Sequence, residues 1–208
     1  MLIKIFWAFF MMILLVLEYA NSQNIESETY KDGQLKSQGK VVNGNKEGEW
    51  KLYFPSGKLS AVENYLKGEL HGEVKYYDFE GHLIAEENWV HGLQQNTSVY
   101  YYSNSQIEKA GKFENGLYQG QWTFYYENGN LKREGFYKEG LPEKYWKFYY
   151  EDGGIYQEGK FKNGQETGEW KFYRTDGTLQ YSGLFSKGEK IGDWFEYSRN
   201  GKKKEWVY

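Results

Sequence analysis

The chain of 208 residues contains no cysteine. That absence excludes thiol catalysis, cysteine-ligated metal and lipid attachment to a cysteine at an export cleavage site. An exported form of the chain also has no disulfides to brace it, and must draw on a long continuous core. Proline is nearly missing, at Pro55 and Pro142 only. An excess of one charge is missing too: 26 Lys and Arg stand against 29 Asp and Glu, spread evenly, for a net −3. No basic block marks a nucleic-acid footprint, the run Lys202, Lys203, Lys204 being too short, so nucleic acid is not an expected partner. Neither a phosphate-binding loop nor a nucleophile elbow occurs. Aromatic residues, by contrast, make up 20% of the chain and include 21 tyrosines, a composition suited to strands.

One long apolar run exists, from Ile5 to Leu17, closed by Glu18. It is too short to cross a bilayer as a helix, which takes about 20 residues. It suits the apolar region of a signal peptide, with Lys4 before it and the small residues Ala20 and Ser22 after it. The expectation is a signal peptide over 1–22, cleaved between Ser22 and Gln23. The mature chain then lies outside the cytoplasmic membrane, in the periplasm, in the cell envelope or secreted. A polar, mobile leader follows over 23–28.

Beyond it the sequence repeats every 24 residues. Gly48, Gly72, Gly120, Gly168 and Gly192 share one column, and Gly44 through Gly188 fill another at the same period. Trp50, Trp122, Trp146, Trp170 and Trp194 form a third column, and Tyr53, Tyr77, Tyr101, Tyr125, Tyr149, Tyr173 and Tyr197 a fourth. Such a period marks a repeat architecture whose core runs along the stack. The array spans 29–208: a partial unit over 29–47, full units over 48–71, 72–95, 96–119, 120–143, 144–167 and 168–191, and a terminal part over 192–208.

In the unit 120–143, Gln121 to Tyr126 reads as a strand, Glu127 to Asn130 as a tight turn, and Leu131 to Lys138 as the return strand. Glu139, Gly140, Leu141 and Pro142 turn into the next unit. The fold class is therefore all-β, an elongated single-layer antiparallel meander of about seven β-hairpin repeats. The glycine recurring as Gly39, Gly111, Gly135, Gly159 and Gly183 predicts a bulky ring, the tryptophan, lying across it. The unit 96–119 carries Asn96, Ser98 and Ser105 in place of its opening glycine, tryptophan and turn glycine, and Val74 replaces the tryptophan one unit earlier.

The pattern Gly120, Trp122, Tyr125, Tyr126, Gly129, Leu131, Gly135, Tyr137, Gly140 returns as Gly168, Trp170, Tyr173, Gly177, Leu179, Gly183, Phe185, Gly188. Over 29–208 it resembles the MORN repeats, particularly the variant found in YwqK-type antitoxin proteins. The resemblance implies a hairpin array used for protein or lipid contact, with no enzymatic activity. It also implies an antitoxin role. A signal peptide conflicts with neutralising a cytosolic toxin, a conflict that an immunity protein acting in the periplasm would not have.

The residues themselves point to no catalysis. His71 and His91 fall in turns between hairpins and His82 in a turn on the other edge, so a metal cluster is not expected. Glu63, Glu87, Glu134 and Glu158 recur periodically, as do Glu49, Glu73, Glu169 and Asp193, with Lys51, Lys147 and Lys171 as cross-strand partners. No cofactor is expected. The candidate binding surface is the tyrosine column from Tyr53 to Tyr197, suited to gripping a protein partner, of which a toxin is one form. The alternative is recognition of carbohydrate or peptidoglycan by the same aromatic ladder. Membrane lipid is a weaker partner, because no polybasic patch or amphipathic helix accompanies the repeats.

Overall fold

The computed structural model describes residues 24–207. The expected signal peptide and the cleavage point at Ser22 and Gln23 lie outside the described residues. The first strands are β1 (Asn24–Thr29), β2 (Leu35–Val42), β3 (Asn45–Tyr53), β4 (Leu59–Leu66), β5 (Glu69–Leu70) and β6 (Gly72–Tyr77). Then come β7 (Leu83–Val90), β8 (Leu93–Gln94), β9 (Asn96–Tyr101), β10 (Ile107–Glu114), β11 (Leu117–Tyr125) and β12 (Leu131–Lys138). The array closes with β13 (Leu141–Tyr149), β14 (Ile155–Lys162), β15 (Gln165–Tyr173), β16 (Leu179–Ser186), β17 (Glu189–Tyr197) and β18 (Lys203–Trp206).

Successive strands pair antiparallel, from β1–β2 through β9–β10 to β17–β18, giving one open meander in which β5/β6 and β8/β9 each count as a single strand. The pairs β5/β6 and β8/β9 each act as one strand interrupted at His71 and at Gln95, since β4 pairs with both halves of the first and β7 with both halves of the second. The polar leader differs from expectation. Residues 24–29 are not a mobile tail but form β1, whose side chains are all exposed, paired with β2 from Asn24↔Val41 to Thr29↔Leu35. Backbone pairing holds this strand to the sheet, with one exposed ion pair, Glu28 to Lys36 of β2 at 3.1 Å, and no buried side chain.

The turns between units are tighter than the sequence implied. Glu139 and Gly140 both have positive φ, 51° and 79°, the signature of a two-residue type I′ connection whose twist matches the flanking strands. Leu141 and Pro142 therefore open β13 instead of extending the turn, and the carbonyl of Pro142 accepts from Gly164 N at 2.9 Å. The outgoing strand is also longer than expected, starting at Leu117 in the unit read above. It passes through Gly120 (φ 74°), where the register against β10 jumps between Gly111↔Trp122 and Lys112↔Gln119. The opening glycine is thus a bulge within a strand, and bulges increase local twist. Asn96 and Lys144 adopt the same left-handed backbone at 63° and 64°, so the bulge survives where the glycine is lost.

The core lies on one face. A Cβ built on Gly111, Gly135, Gly159 or Gly183 would stand 2.0–2.2 Å from the ring of Trp122, Trp146, Trp170 or Trp194 respectively. Only glycine admits the indole there, as the sequence predicted. The ring nitrogen then donates to the carbonyl next to that glycine: Trp50 to Lys40, Trp122 to Lys112, Trp146 to Phe136 and Trp170 to Lys160, at 3.0–3.2 Å. An edge-to-face neighbour completes each site, as in Phe161–Trp170 at 5.1 Å and 90°. A second repeating bond ties unit to unit. The hydroxyls of Tyr30, Tyr102, Tyr126 and Tyr150 donate to the carbonyls of Tyr53, Tyr125, Tyr149 and Tyr173, each 23 residues on, at 2.7–2.8 Å.

Gly159→Ala is expected to destabilise the chain by at least about 2 kcal/mol through overpacking against Trp170. In a double-mutant cycle with Trp170→Val the two losses should fall short of additivity by about 1 kcal/mol or more. Denaturant unfolding of the four forms measures both, and additive losses would show that the ring and the glycine act independently.

Candidate functional site

Side chains alternate across a strand, so Tyr125 faces away from Trp122 and Phe124. The seven tyrosines from Tyr53 to Tyr197 thus share the face opposite the tryptophans, and all seven are half-buried. Adjacent members lie two strands apart, about 9.5 Å. Three of them are held by a carboxylate on the preceding return strand: Tyr101 donates to Glu86 at 2.7 Å, Tyr149 to Glu134 at 2.7 Å and Tyr173 to Glu158 at 2.6 Å. Tyr197 meets Ser182 Oγ at 3.2 Å in the same relation. At Tyr53, Tyr77 and Tyr125 the corresponding positions hold Gln38, Val62 and Ala110, none of them a carboxylate.

Burial, and then the hydrogen bond to Glu86, push the Tyr101 phenol up to about 12 from 10.0. The same causes, with Glu134 and Glu158 as acceptors, hold Tyr149 and Tyr173 well above the ordinary phenol range. These rings are therefore neutral donors with fixed hydroxyls. Around them lie opposed charges: Glu134 stands across from Lys147, Lys147 across from Glu158, and Glu158 across from Lys171. Lys51 departs from the expected cross-strand pattern. Gln38 and Val62 stand opposite it, and its ammonium meets Glu49 of its own strand at 3.5 Å.

The carboxylates that looked like one series in sequence divide between two faces. Glu134 and Glu158 lie on the tyrosine face, whereas Glu63 and Glu87 occupy the glycine column on the tryptophan face. The column reads Gly39, Glu63, Glu87, Gly111, and its tryptophan partners read Trp50, Val74, Ser98, Trp122. Glycine and tryptophan are lost together, which is what the overlap of ring and Cβ requires. In their place Glu87, 7% exposed, accepts from Tyr100 OH at 2.7 Å and from Trp89 Nε1 at 2.9 Å. Glu63 accepts from Tyr65 OH at 2.6 Å. Phe54 and Asp78 likewise stand where other units carry the stapling tyrosine: Phe54 packs on Phe79, and Asp78 caps its own turn at Gly81 and His82. The middle of the array is thus a polar substitute for the aromatic lock, closed and internally satisfied at its carboxylates.

His71 and His91 come together more closely than the sequence suggested, with ring centroids 5.2 Å apart, because their turns stack on one edge. His91 Nδ1 meets Glu69 at 3.2 Å, while His82 sits beside Asp78 at a turn between β6 and β7. Among the described residues no group of three or more His, Asp or Glu could hold a metal ion.

The fold and its two repeating columns define a class: a solenoid-like array of hairpins whose one aromatic core runs from unit to unit. The MORN repeat variant matches residues 46–67, 70–91, 118–139, 142–163 and 166–187, just over half of the chain, and the chain belongs to that family. The unmatched stretch between the second and third segments contains the unit with Ser98 in the tryptophan column. No curated protein matches the chain. Among solved structures, a crystal structure of TcdB2-TccC3-TEV is similar at 15% identity over 86% of this chain, with a TM-score of 0.23. The Tc holotoxin pore of Photorhabdus luminescens is similar at 15% identity over 86% of this chain, with a TM-score of 0.22. The chain spans about a tenth of the length of those proteins, 11% of each. TM-scores this low say nothing about its partners.

The raised phenols make stability depend on alkaline pH. A folded-state pKa above the unfolded 10.0 contributes stability that is complete below pH 10 and is lost as pH rises through about 12 for Tyr101. The thermal midpoint should therefore fall between pH 10 and 12, and Tyr101→Phe should lessen that fall. Thermal unfolding followed by circular dichroism across this range tests it. A decline of equal size in both proteins would remove Tyr101 from the account.

Proposed function

We propose that the chain is a non-catalytic scaffold for protein–protein contact, exported by its first 22 residues and working in the cell envelope. The observation that carries this reading is the tyrosine face: seven half-buried rings at one spacing on the side of the sheet that holds no tryptophan core. Tyrosine combines apolar area with a polar handle and loses little rotamer freedom, which suits it to interfaces. Anchoring by Glu86, Glu134 and Glu158 fixes three of the rings before any partner arrives and so lowers the ordering cost of binding. Within this reading the finer role is that of an antitoxin or immunity-type component, supported by the membership of the MORN repeat variant and by the resemblance to YwqK-type antitoxins.

Capture with the tagged mature chain from fractionated cells tests the proposal. A single stoichiometric envelope protein should co-purify, and the loss of Tyr101, Tyr125 and Tyr149 to alanine should reduce its recovery about tenfold or more while the circular dichroism is preserved. A toxin as that protein would establish the immunity role. Recovery of glycan or lipid with no protein would overturn the scaffold reading in favour of a ligand platform.

A further inference from the structure

On the tryptophan face a row of residues crosses the sheet perpendicular to the strands. Outgoing strands contribute Leu52, Tyr76, Tyr100, Phe124, Phe148 and Phe172, and return strands contribute the residues opposite them. Those return positions are small or neutral at Ser37, Ala61, Ala85 and Gln157. Lys109 and Arg133 break the rule, on β10 and β12, with Phe124 directly opposite both; at the far end of the row Lys204 on β18 is a cation too, but it is paired with Glu196 at 2.8 Å.

Each cation lies on a ring. Lys109 Nζ stands 4.1 Å from the Tyr100 centroid and donates to Tyr118 OH at 3.2 Å, while the guanidinium carbon of Arg133 is 4.1 Å from the Phe124 centroid. Beside them opens a cavity of about 260 Å³, lined by Lys109, Lys132 and Arg133, by the rings of Tyr118 and Phe124, and by the carboxylate of Glu108. Three cations therefore face one carboxylate, in a chain whose net charge is −3. None of the three forms an ion pair among the described residues. Arg133 Nε is buried and has no hydrogen-bond partner. A guanidinium stacked on a ring with an unused donor lacks an acceptor in its own plane.

We propose that this cavity is a docking point for the carboxylate of an aspartate, a glutamate or a chain terminus on an acidic segment of a partner protein. The chemistry favours a planar anion, because the guanidinium fork matches a carboxylate with two parallel hydrogen bonds. Size limits the occupant. Pockets for drug-sized molecules run from about 300 to 1,000 Å³, so this one fits a side chain better than a free cofactor. The walls of Tyr118 and Phe124 cover the methylenes of such a side chain, and Lys109 and Lys132 supply the remaining positive field. The proposal rests on the scaffold reading and names the partner's chemistry at a cavity built around the tryptophan-face cations Lys109 and Arg133, whose lining also takes in Tyr125 of the tyrosine column.

Calorimetric titration of the purified full chain with an acetylated hexaglutamate peptide at low salt, with hexaglutamine as control, tests the inference. The glutamate peptide alone should bind, and Arg133→Gln should weaken it roughly tenfold, a difference of about 1.4 kcal/mol. Lys132→Gln, at an exposed position, should weaken it in the same direction if Arg133→Gln disturbs the fold. Lys51→Gln, on the other face, should leave binding unchanged. Equal binding of the two peptides overturns the proposal, as does unchanged affinity in folded Arg133→Gln or Lys132→Gln. So does a chain that ignores the peptide and binds vesicles containing phosphatidylserine. A protein captured from cells that binds Arg133→Gln as tightly as the parent would sink this inference and leave the scaffold reading intact.

Discussion

The contact between an indole ring and a glycine backbone is the constraint on which the rest of this molecule depends. A hairpin of 24 residues cannot bury its own apolar face, and a single-layer sheet offers no second layer to cover it. The tryptophan resolves this by folding over the return strand of the preceding unit, onto a residue with no side chain, and by donating to the carbonyl beside it. Trp122, Trp170 and Trp194 become fully buried in a structure one sheet thick. Because the ring of one unit sits on the glycine of the unit before, every lock is also a joint, and stability passes along the array as a nearest-neighbour property.

The two units that lack the lock show how tightly its parts are coupled. Glu63 with Val74, and Glu87 with Ser98, replace glycine with tryptophan as pairs, since a side chain at the glycine position leaves no room for an indole. The space is filled instead by carboxylates that accept from Tyr65, Tyr100 and Trp89. The tyrosine staple is absent from the same region, where Phe54 and Asp78 take its place. The meander nevertheless continues through it, with its outgoing strands interrupted only at His71 and Gln95, and Asn96 holds the left-handed bulge that glycine holds elsewhere. One scaffold thus supports two core chemistries, aromatic at both ends and polar between. The cation-bearing row at Lys109 and Arg133 begins where the aromatic core resumes.

Much of the fold was legible because period-24 columns report directly on which residues must meet. The ring-on-glycine contact followed from a recurrent glycine in a strand, and the return strand Leu131–Lys138 from its turn signals. Four features were not legible. Strand β1 carries no apolar pattern, since backbone pairing and one exposed ion pair recruit it without any buried side chain. The bulge at Gly120 looked like a strand end, because positive φ serves turns and bulges alike. The carboxylates at 63, 87, 134 and 158 looked like one series, yet a single residue of offset sends Glu134 to the opposite face from Glu87. The tyrosine column was legible as a column, but not its anchoring. Tyr101, Tyr149 and Tyr173 each meet a carboxylate fifteen residues back, diagonally across a strand pair whose register depends on the bulge.

By itself the amino-acid sequence determined the repeat, the strand content, the antiparallel order and the pairing of indole with glycine, because each of these follows from local spacing and from side-chain volume. Tertiary structure alone decided which face each polar residue occupies, that Tyr101, Tyr149 and Tyr173 are held by Glu86, Glu134 and Glu158, and that Lys109, Lys132 and Arg133 converge on one cavity. The reason is geometric. Side-chain direction in a sheet inverts with every residue, so each bulge resets which side chains share a face, and cross-strand register then brings together residues that no spacing along the chain connects.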